Sequence, residues 1–307
     1  MGKRVARKKR LKRRWVFIPL AIVLILVIGT GAYGFSILNK AKNTVNTQMH
    51  EPVDSIDLEE TKKKVKATEP LNILLLGVDA RESDKGRSDA LIVLSLDPQN
   101  DAMRLISIPR DTRTTIVGKG VEDKINHAYA FGGTDMAVAT VEEFLGIELD
   151  YYVHLNMKGM QELVDEIGPI TVNNEVEWSD EKYDFPKGPV EMNGDKTLHF
   201  VRMRKQDPDG DFGRTKRQRQ VIEAIIKRGA SIGSVPKINK MINILGNNMS
   251  TNMDFADMKK LFNDYRDTRQ NIESYMMEGT GTTVDGVYYL LIPDEEIEKV
   301  QKMMAHQ

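Results

Sequence analysis

The sequence predicts an α/β protein: an α/β/α layered domain with a mixed central β-sheet, preceded by one N-terminal transmembrane helix. Three observations predict it. Apolar runs of strand length alternate with segments of helical period from Pro70 onward, the pattern of helices layered on a sheet. The run Leu71–Val78 is almost wholly apolar, as expected for a strand covered on both faces. Ala90–Leu96 and Met103–Ile108 are separated by the tight turn Asp97-Pro-Gln-Asn-Asp101, which makes them an antiparallel pair and the sheet a mixed one.

The remaining elements follow in order. Thr134–Leu145 reads as a helix, Tyr151–Leu155 as a strand, Lys158–Ile167 as a helix and Ile170–Val172 as a strand. Leu198–Arg204 alternates like a strand, which would put Arg202 and Arg204 on one face. After the turn-rich Asp207-Pro-Asp-Gly210 a helix is expected from about Gly213. On its wheel Arg214 and Gln218 share the stripe of Val221, Ile222 and Ile225, while Lys216, Gln220, Glu223 and Lys227 fall opposite. Helices near Lys237–Leu245 and Phe255–Asp267, strands near Glu273–Glu278 and Val287–Ile292, and a helix from Asp294 complete the domain.

Charge is divided unevenly along the chain. Nine of the 44 Lys and Arg lie in residues 1–14, which hold no acid, leaving 35 basic against 45 acidic residues elsewhere. An acidic domain with a locally basic segment suits a discrete anion site and argues against a nucleic-acid surface. Trp15–Leu38 carries no charge and is long enough to span a hydrocarbon core of roughly 30 Å. The preceding cations keep the N-terminus cytoplasmic, so the rest is exported. The apolar run exceeds a signal-peptide core, which makes it an uncleaved anchor. The expected organisation is therefore a basic tail 1–14, a signal-anchor 15–38, a polar stalk 39–69 and an extracellular domain 70–307. Zero cysteines exclude thiol catalysis, disulfides and thiolate metal sites, and five scattered histidines lack metal-ligand spacing.

The candidate site residues are arginines and aspartates at predicted strand ends. Asp79 ends the first strand and Asp89 opens the second, the side of an α/β sheet where ligands collect. Two such carboxylates can hold Mg²⁺, or Mn²⁺, with phosphate oxygens and water completing the shell. Arg81, Arg87, Arg110, Arg202, Arg204 and Arg214, with Gln218 and Lys124, can line one anionic pocket; guanidinium groups suit paired phosphoryl oxygens. An arginine on the core-facing stripe of a helix's first turn is costly unless it meets an anion. Asp211 can cap that helix or orient an arginine. His127 lies beside Lys124 and is expected to be a hydrogen-bonded structural histidine. Lys216 and Arg219 are expected to be dispensable.

In order, Asn72-Ile-Leu-Leu-Leu-Gly-Val-Asp79-Ala-Arg81, Gly86-Arg87-Ser-Asp89, Ser107-Ile-Pro-Arg110-Asp111, Lys124-Ile-Asn-His-Ala-Tyr129, Asp150-Tyr-Tyr-Val153 and Arg202-x-Arg204 with Asp207-Pro-Asp-Gly-Asp-Phe-Gly-Arg214-x3-Gln218 resemble the motifs of the LytR-CpsA-Psr family. The resemblance covers about residues 70–230, and the stretch also resembles the family's wall teichoic acid ligases in particular. Some relatives carry a further arginine where this chain has Gln206. The resemblance implies transfer of an anionic glycopolymer from undecaprenyl diphosphate to the C6 hydroxyl of N-acetylmuramic acid in peptidoglycan, forming a phosphodiester. It implies Mg²⁺ at Asp79 and Asp89 and a diphosphate held by Arg81, Arg87, Arg110, Arg202, Arg204, Arg214 and Gln218. Arg110, Arg202, Arg204 and Asp211 are then the catalytic candidates, with Asp89, Asp111 and Asp211 open as the base. The lipid tail would lie in an apolar tunnel between sheet and helices. A polyprenyl diphosphate hydrolase and a non-enzymatic lipid-binding regulator are the alternative readings.

Overall fold

The computed structural model of the chain describes residues 35–78, 86–229 and 235–305. A helix over residues 35–44 (α1) runs into a π-helical turn, Val45–Met49. Helix α2 (Leu58–Ala67) starts at Asp57, whose carboxylate accepts from the Glu59 and Glu60 N–H groups, and ends at Thr68 in a left-handed conformation.

Six strands make the central sheet, in the order β11-β6-β1-β2-β3-β12. They are β1 (Leu71–Val78), β2 (Ser88–Asp97), β3 (Ala102–Ile108), β6 (Tyr151–Asn156), β11 (Met249–Thr251) and β12 (Asn271–Met276). β1 runs antiparallel to β2 and parallel to β6; β3 runs antiparallel to β2 and parallel to β12. The mixed sheet is thus as expected. Small hairpins decorate it: β4 (Arg113–Ile116) with β5 (Val121–Lys124), β7 (Ile170–Asn174) with β10 (Gly188–Met192), β8 (Trp178–Ser179) with β9 (Asp184–Phe185), and β13 (Thr280–Val284) with β14 (Val287–Leu291).

Side-chain alternation sorts each central strand between two cores. Leu74, Leu76, Leu91, Val93, Ile106 and Ile108 pack under α3 (His127–Leu145) and α9 (Asp294–Met304). Ile73, Ile92, Leu94, Met103 and Leu105 face the other way, against α6 (Asp211–Gly229) and α8 (Phe255–Asp264). Burial on both faces is why Leu71–Val78 has no polar stripe. Each fully buried Leu or Ile contributes roughly 1.5–3 kcal/mol relative to exposure. A third core lies beyond the sheet edge, where α4 (Met157–Ile167), α5 (Gly194–Arg202), α6 and α7 (Val235–Asn248) meet the small strands around Trp178 and Phe185.

The structure corrects two expectations. Leu198–Arg204 is not a strand. Asn193 caps α5 by accepting from the Lys196 N–H, and Thr197, Phe200 and Val201 are buried at helical spacing. Arg202 therefore ends a helix and Arg204 sits in the turn after it, so no strand face joins them. The expected stalk also proves largely structured. Residues 44–307 cluster as one unit, and Val53, Ile56 and Val65 are buried in its cores. The polar sequence of α2 conceals this, because only Thr61 and Val65 of that helix are buried. The expected span Trp15–Leu38 lies, except for its last four residues, outside the described residues; among the described residues no helix is long and apolar enough to cross a membrane.

Candidate active site

The β2–β3 register carries the first part of the site. Leu91 pairs with Ile108, so continuing the ladder places Asp89 across from Arg110. Arg110 Nη1 donates to Asp89 Oδ1 at 2.6 Å, and Arg110 Nε donates to Asp211 Oδ2 at 2.6 Å. Asp211 is the first residue of α6, where the helix dipole favours a carboxylate. It also receives Arg214 Nη2 at 3.0 Å and lies 3.3 Å from Arg204 Nε. Asp111, next to Arg110, takes Lys124 Nζ at 2.6 Å. With Arg110 Nε 3.7 Å from Asp111, the residues Asp89, Arg110, Asp111, Lys124, Arg204, Asp211 and Arg214 are joined in one network from β2, the segment after β3, β5, the segment after α5 and α6.

Burial opposes the Arg110 charge, but the Asp89 hydrogen bond and the charges of Asp211, Asp89 and Asp111 outweigh it and raise its pKa above the ordinary guanidinium value. Arg214 goes the other way. Burial lowers its pKa, Asp211 only partly offsets that, and the positive charge of Arg110 adds to it. Its Nε is buried without a hydrogen-bond partner. A guanidinium held this way is favoured by an added anion.

One turn along α6, Gln218 is buried and its Oε1 has no partner. It lines an apolar cavity of about 240 Å³ between the sheet and helices α4 and α6, walled by Leu75, Leu94, Met160, Ile222 and Ile226 among others. Gly77 and Ala90 are also in its lining; a Cβ on Gly77 would come within 2.9 Å of the Ala90 Cβ. The stripe read from the sequence is therefore real: on one helix face, Arg214, Gln218, Ile222 and Ile225 pass from charge to apolar surface.

Neighbouring arginines have other work. Arg217 is buried, with Nε donating to Phe200 O at 3.1 Å, Nη2 to Met203 O at 2.5 Å and Nη1 to Asp207. Phe200 O is one of the carbonyls left over at the C-terminal end of α5, so Arg217 satisfies it and fixes the turn that follows. Gly213 makes room, since a Cβ there would overlap the Asp207 carboxylate. Arg219 differs from what was expected of it. It does not stand outside with Lys216 but is buried, donating Nη1 to Ser107 Oγ at 3.2 Å, and burial lowers its pKa. Lys216 pairs with Glu175 at the surface.

Other candidates lie around this network or beyond the described residues. Arg202 is exposed and lines a separate groove with Trp178, His199, Arg204 and Lys205. Arg87 is exposed just before β2. Asp79 and Arg81 lie outside the described residues. Among the described residues no group of three or more His, Cys, Asp or Glu is arranged to hold a metal. Asp89 nonetheless suits a hard cation: one of its oxygens is taken by Arg110, and the adjacent Ser88 Oγ is buried without a partner. His127 accepts the structural role expected of it, with Nδ1 2.8 Å from Asp123 Oδ2. Tyr288 and Leu290, absent from the candidates above, line a cavity of about 300 Å³ with Arg110, Asp111, Arg204 and Asp211. They lie far along the chain in an unremarkable strand, and no local motif marks them.

The LytR_cpsA_psr family model matches residues 32–306. The chain is 41% identical over 295 residues to the polyisoprenyl-teichoic acid–peptidoglycan teichoic acid transferase TagU of Bacillus subtilis, covering 96% of each. The crystal structure of B. subtilis TagU superposes with a TM-score of 0.64, covering 78% of this chain and 97% of that one. TagT bound to LIIa-WTA matches at 30% identity and a TM-score of 0.65, over 76% of this chain and 89% of that one. A charged network at the strand ends, an apolar cavity behind it and these matches along nearly the whole chain make this protein a member of the LytR_cpsA_psr family.

Proposed function

We infer that this chain is a phosphotransferase that moves an anionic glycopolymer of the wall teichoic acid type from undecaprenyl diphosphate to the C6 hydroxyl of N-acetylmuramic acid in peptidoglycan. One observation carries the reading. A single face of α6 presents Arg214, then Gln218, then the apolar cavity, which is the order of charge and grease along a lipid diphosphate. The names of the TagU relatives and the TagT complex with LIIa-WTA support the same substrate class.

The chemistry follows from that placement. Arg110 and Arg214 bind phosphoryl oxygens, and Gln218 marks the junction where the lipid begins. Arg204, more than half exposed, closes over the polymer-side phosphate. Bond formation joins the acceptor oxygen to the polymer-side phosphorus, and the bond to undecaprenyl phosphate breaks. Positioning and charge neutralisation are the main requirements of such a transfer. The acceptor proton needs a base. Asp211 is occupied by three arginines, whereas Asp111 meets Lys124 with one oxygen and its other oxygen lies 3.7 Å from Arg110. Asp111 therefore has the freer oxygen to receive the acceptor hydroxyl. Asp89, with Asp79, would hold Mg²⁺, which when bound supplies further positive charge to the phosphate oxygens. Trp15–Leu38 anchors the chain in the cell membrane with the catalytic domain outside, within reach of a lipid-borne donor.

Product analysis tests the reading. Full-length protein in liposomes is given lipid-linked polymer and peptidoglycan. A polymer–peptidoglycan phosphodiester is the expected product. Free polymer with a reducing-end phosphate, and no adduct, would replace the transferase with a hydrolase.

A further inference from the structure

Strand β14 is bonded directly to the active-site segment. The Leu290 N–H donates to Asp111 O at 2.9 Å, and Thr112 and Leu290 form a parallel bridge. Alternation puts Tyr288 and Leu290 on one face of β14, and both line the Arg110 cavity. Leu290 is 2% exposed, but Tyr288 is 47% exposed. The Tyr288 ring lies over Gly281 of the facing strand, where a Cβ would come within 2.9 Å of the ring and 2.8 Å of its hydroxyl. The glycine lets the ring rest against the hairpin while half of it stays accessible beside Asp111, Asp209 and Asp211.

We propose that Tyr288 is the platform for the acceptor glycan, stacking a sugar ring so that its primary hydroxyl meets Asp111. This rests on the transferase reading above. A pyranose offers an apolar C–H face and a rim of hydroxyls. An aromatic ring beside hydrogen-bond-accepting carboxylates matches that pattern, and it matches a phosphate chain poorly. The groove on the far side of Arg204 has the opposite character. Among the described residues Arg202, Arg204, Lys205 and His199 line it with one acid, Asp180, so an anionic polymer is better accommodated there. Charge thus divides the two surfaces that meet at Arg204, and the neutral hydroxyl partner falls to the Tyr288 side.

The test is a steady-state comparison using full-length protein in liposomes, lipid-linked polymer as donor and an uncrosslinked peptidoglycan oligosaccharide as acceptor. Tyr288→Ala is expected to raise the acceptor KM on the order of tenfold, the worth of one aromatic contact, with the donor KM little altered. Tyr288→Phe and Tyr288→Trp, which keep a stacking face, should hold the acceptor KM near its wild-type value; a purely structural tyrosine would not show that pattern. An unchanged acceptor KM in Tyr288→Ala, or a rise confined to the donor KM, overturns the assignment and leaves the transferase reading standing. Absence of any adduct from the wild-type protein overturns both.

Discussion

Arg217 and Arg214 are three residues apart on one helix, both largely buried, yet the regions they serve are opposites. Around Arg217 every guanidinium nitrogen is used within the protein, on Asp207, Phe200 O and Met203 O. Around Arg214 one nitrogen is unpartnered, and among the described residues the carboxylate it meets, Asp211, is shared with Arg110 and Arg204. The first region is closed and holds α5, the turn and α6 together. The second is left short of negative charge and favours a ligand that brings some. Between these two arginines the difference lies in satisfied hydrogen bonds, not in residue type or burial.

Breaking the closed region should have the largest effect. Arg217→Ala strands the buried Asp207 carboxylate and two carbonyls, a loss of about 3–5 kcal/mol by analogy with other buried pairs cut on one side. Urea unfolding should show a matching fall in midpoint with an unchanged slope. Arg214→Ala should do the reverse. Its unfolding midpoint should hold or rise, because a poorly compensated buried charge is removed, while transfer falls by about 10²-fold or more, the scale of one lost transition-state donor. Equal losses of stability in the two variants would erase the distinction between the regions.

Smaller effects sharpen it. Gly77→Val crowds Ala90 at the apolar cavity. Overpacking should cost about 1–3 kcal/mol, and the donor KM should rise while the acceptor KM stays put. Glu142 gives a pH test far from the site. Burial raises its pKa, the Leu149 N–H opposes this, and nearby Glu148, Asp150 and Asp135 add to it. The folded state then keeps this proton to higher pH than the unfolded chain does, so its contribution is complete below the ordinary carboxylate value and lost as pH rises through the raised one. Glu142→Gln should therefore stabilise the protein at neutral pH and make no difference in acid, as thermal melts across pH would report. Lys216→Ala, which cuts only a surface pair with Glu175, should stay within about 0.5 kcal/mol of wild type and transfer normally.

The same contrast explains what the sequence made legible. Leu71–Val78 matches β1 residue for residue, and Arg214, Gln218 and Ile222 share the expected face of α6, because periodicity reports which side of an element is covered. Periodicity failed at Leu198–Arg204, where a short apolar–polar alternation fits strand and helix alike; the deciding signal, the Asn193 cap, lies five residues upstream. It also gave no warning that Arg217 and Arg219 are buried, since both sit among polar neighbours and owe their burial to α5 and β3. Tyr288 was out of reach for a related reason. Its place beside Arg110 is set by a backbone bond from Leu290 to Asp111, across 179 positions of chain.

The most direct test of the account is the rate of polymer transfer by Arg110→Ala, compared with wild type at equal folded concentration. Arg110 bridges Asp89 and Asp211 at the centre of the network. The expected result is a loss of about 10²-fold or more in phosphodiester formed per folded molecule. A folded Arg110→Ala protein that transfers polymer to peptidoglycan at the wild-type rate would contradict the assignment of this network as the place where the diphosphate is held and cleaved.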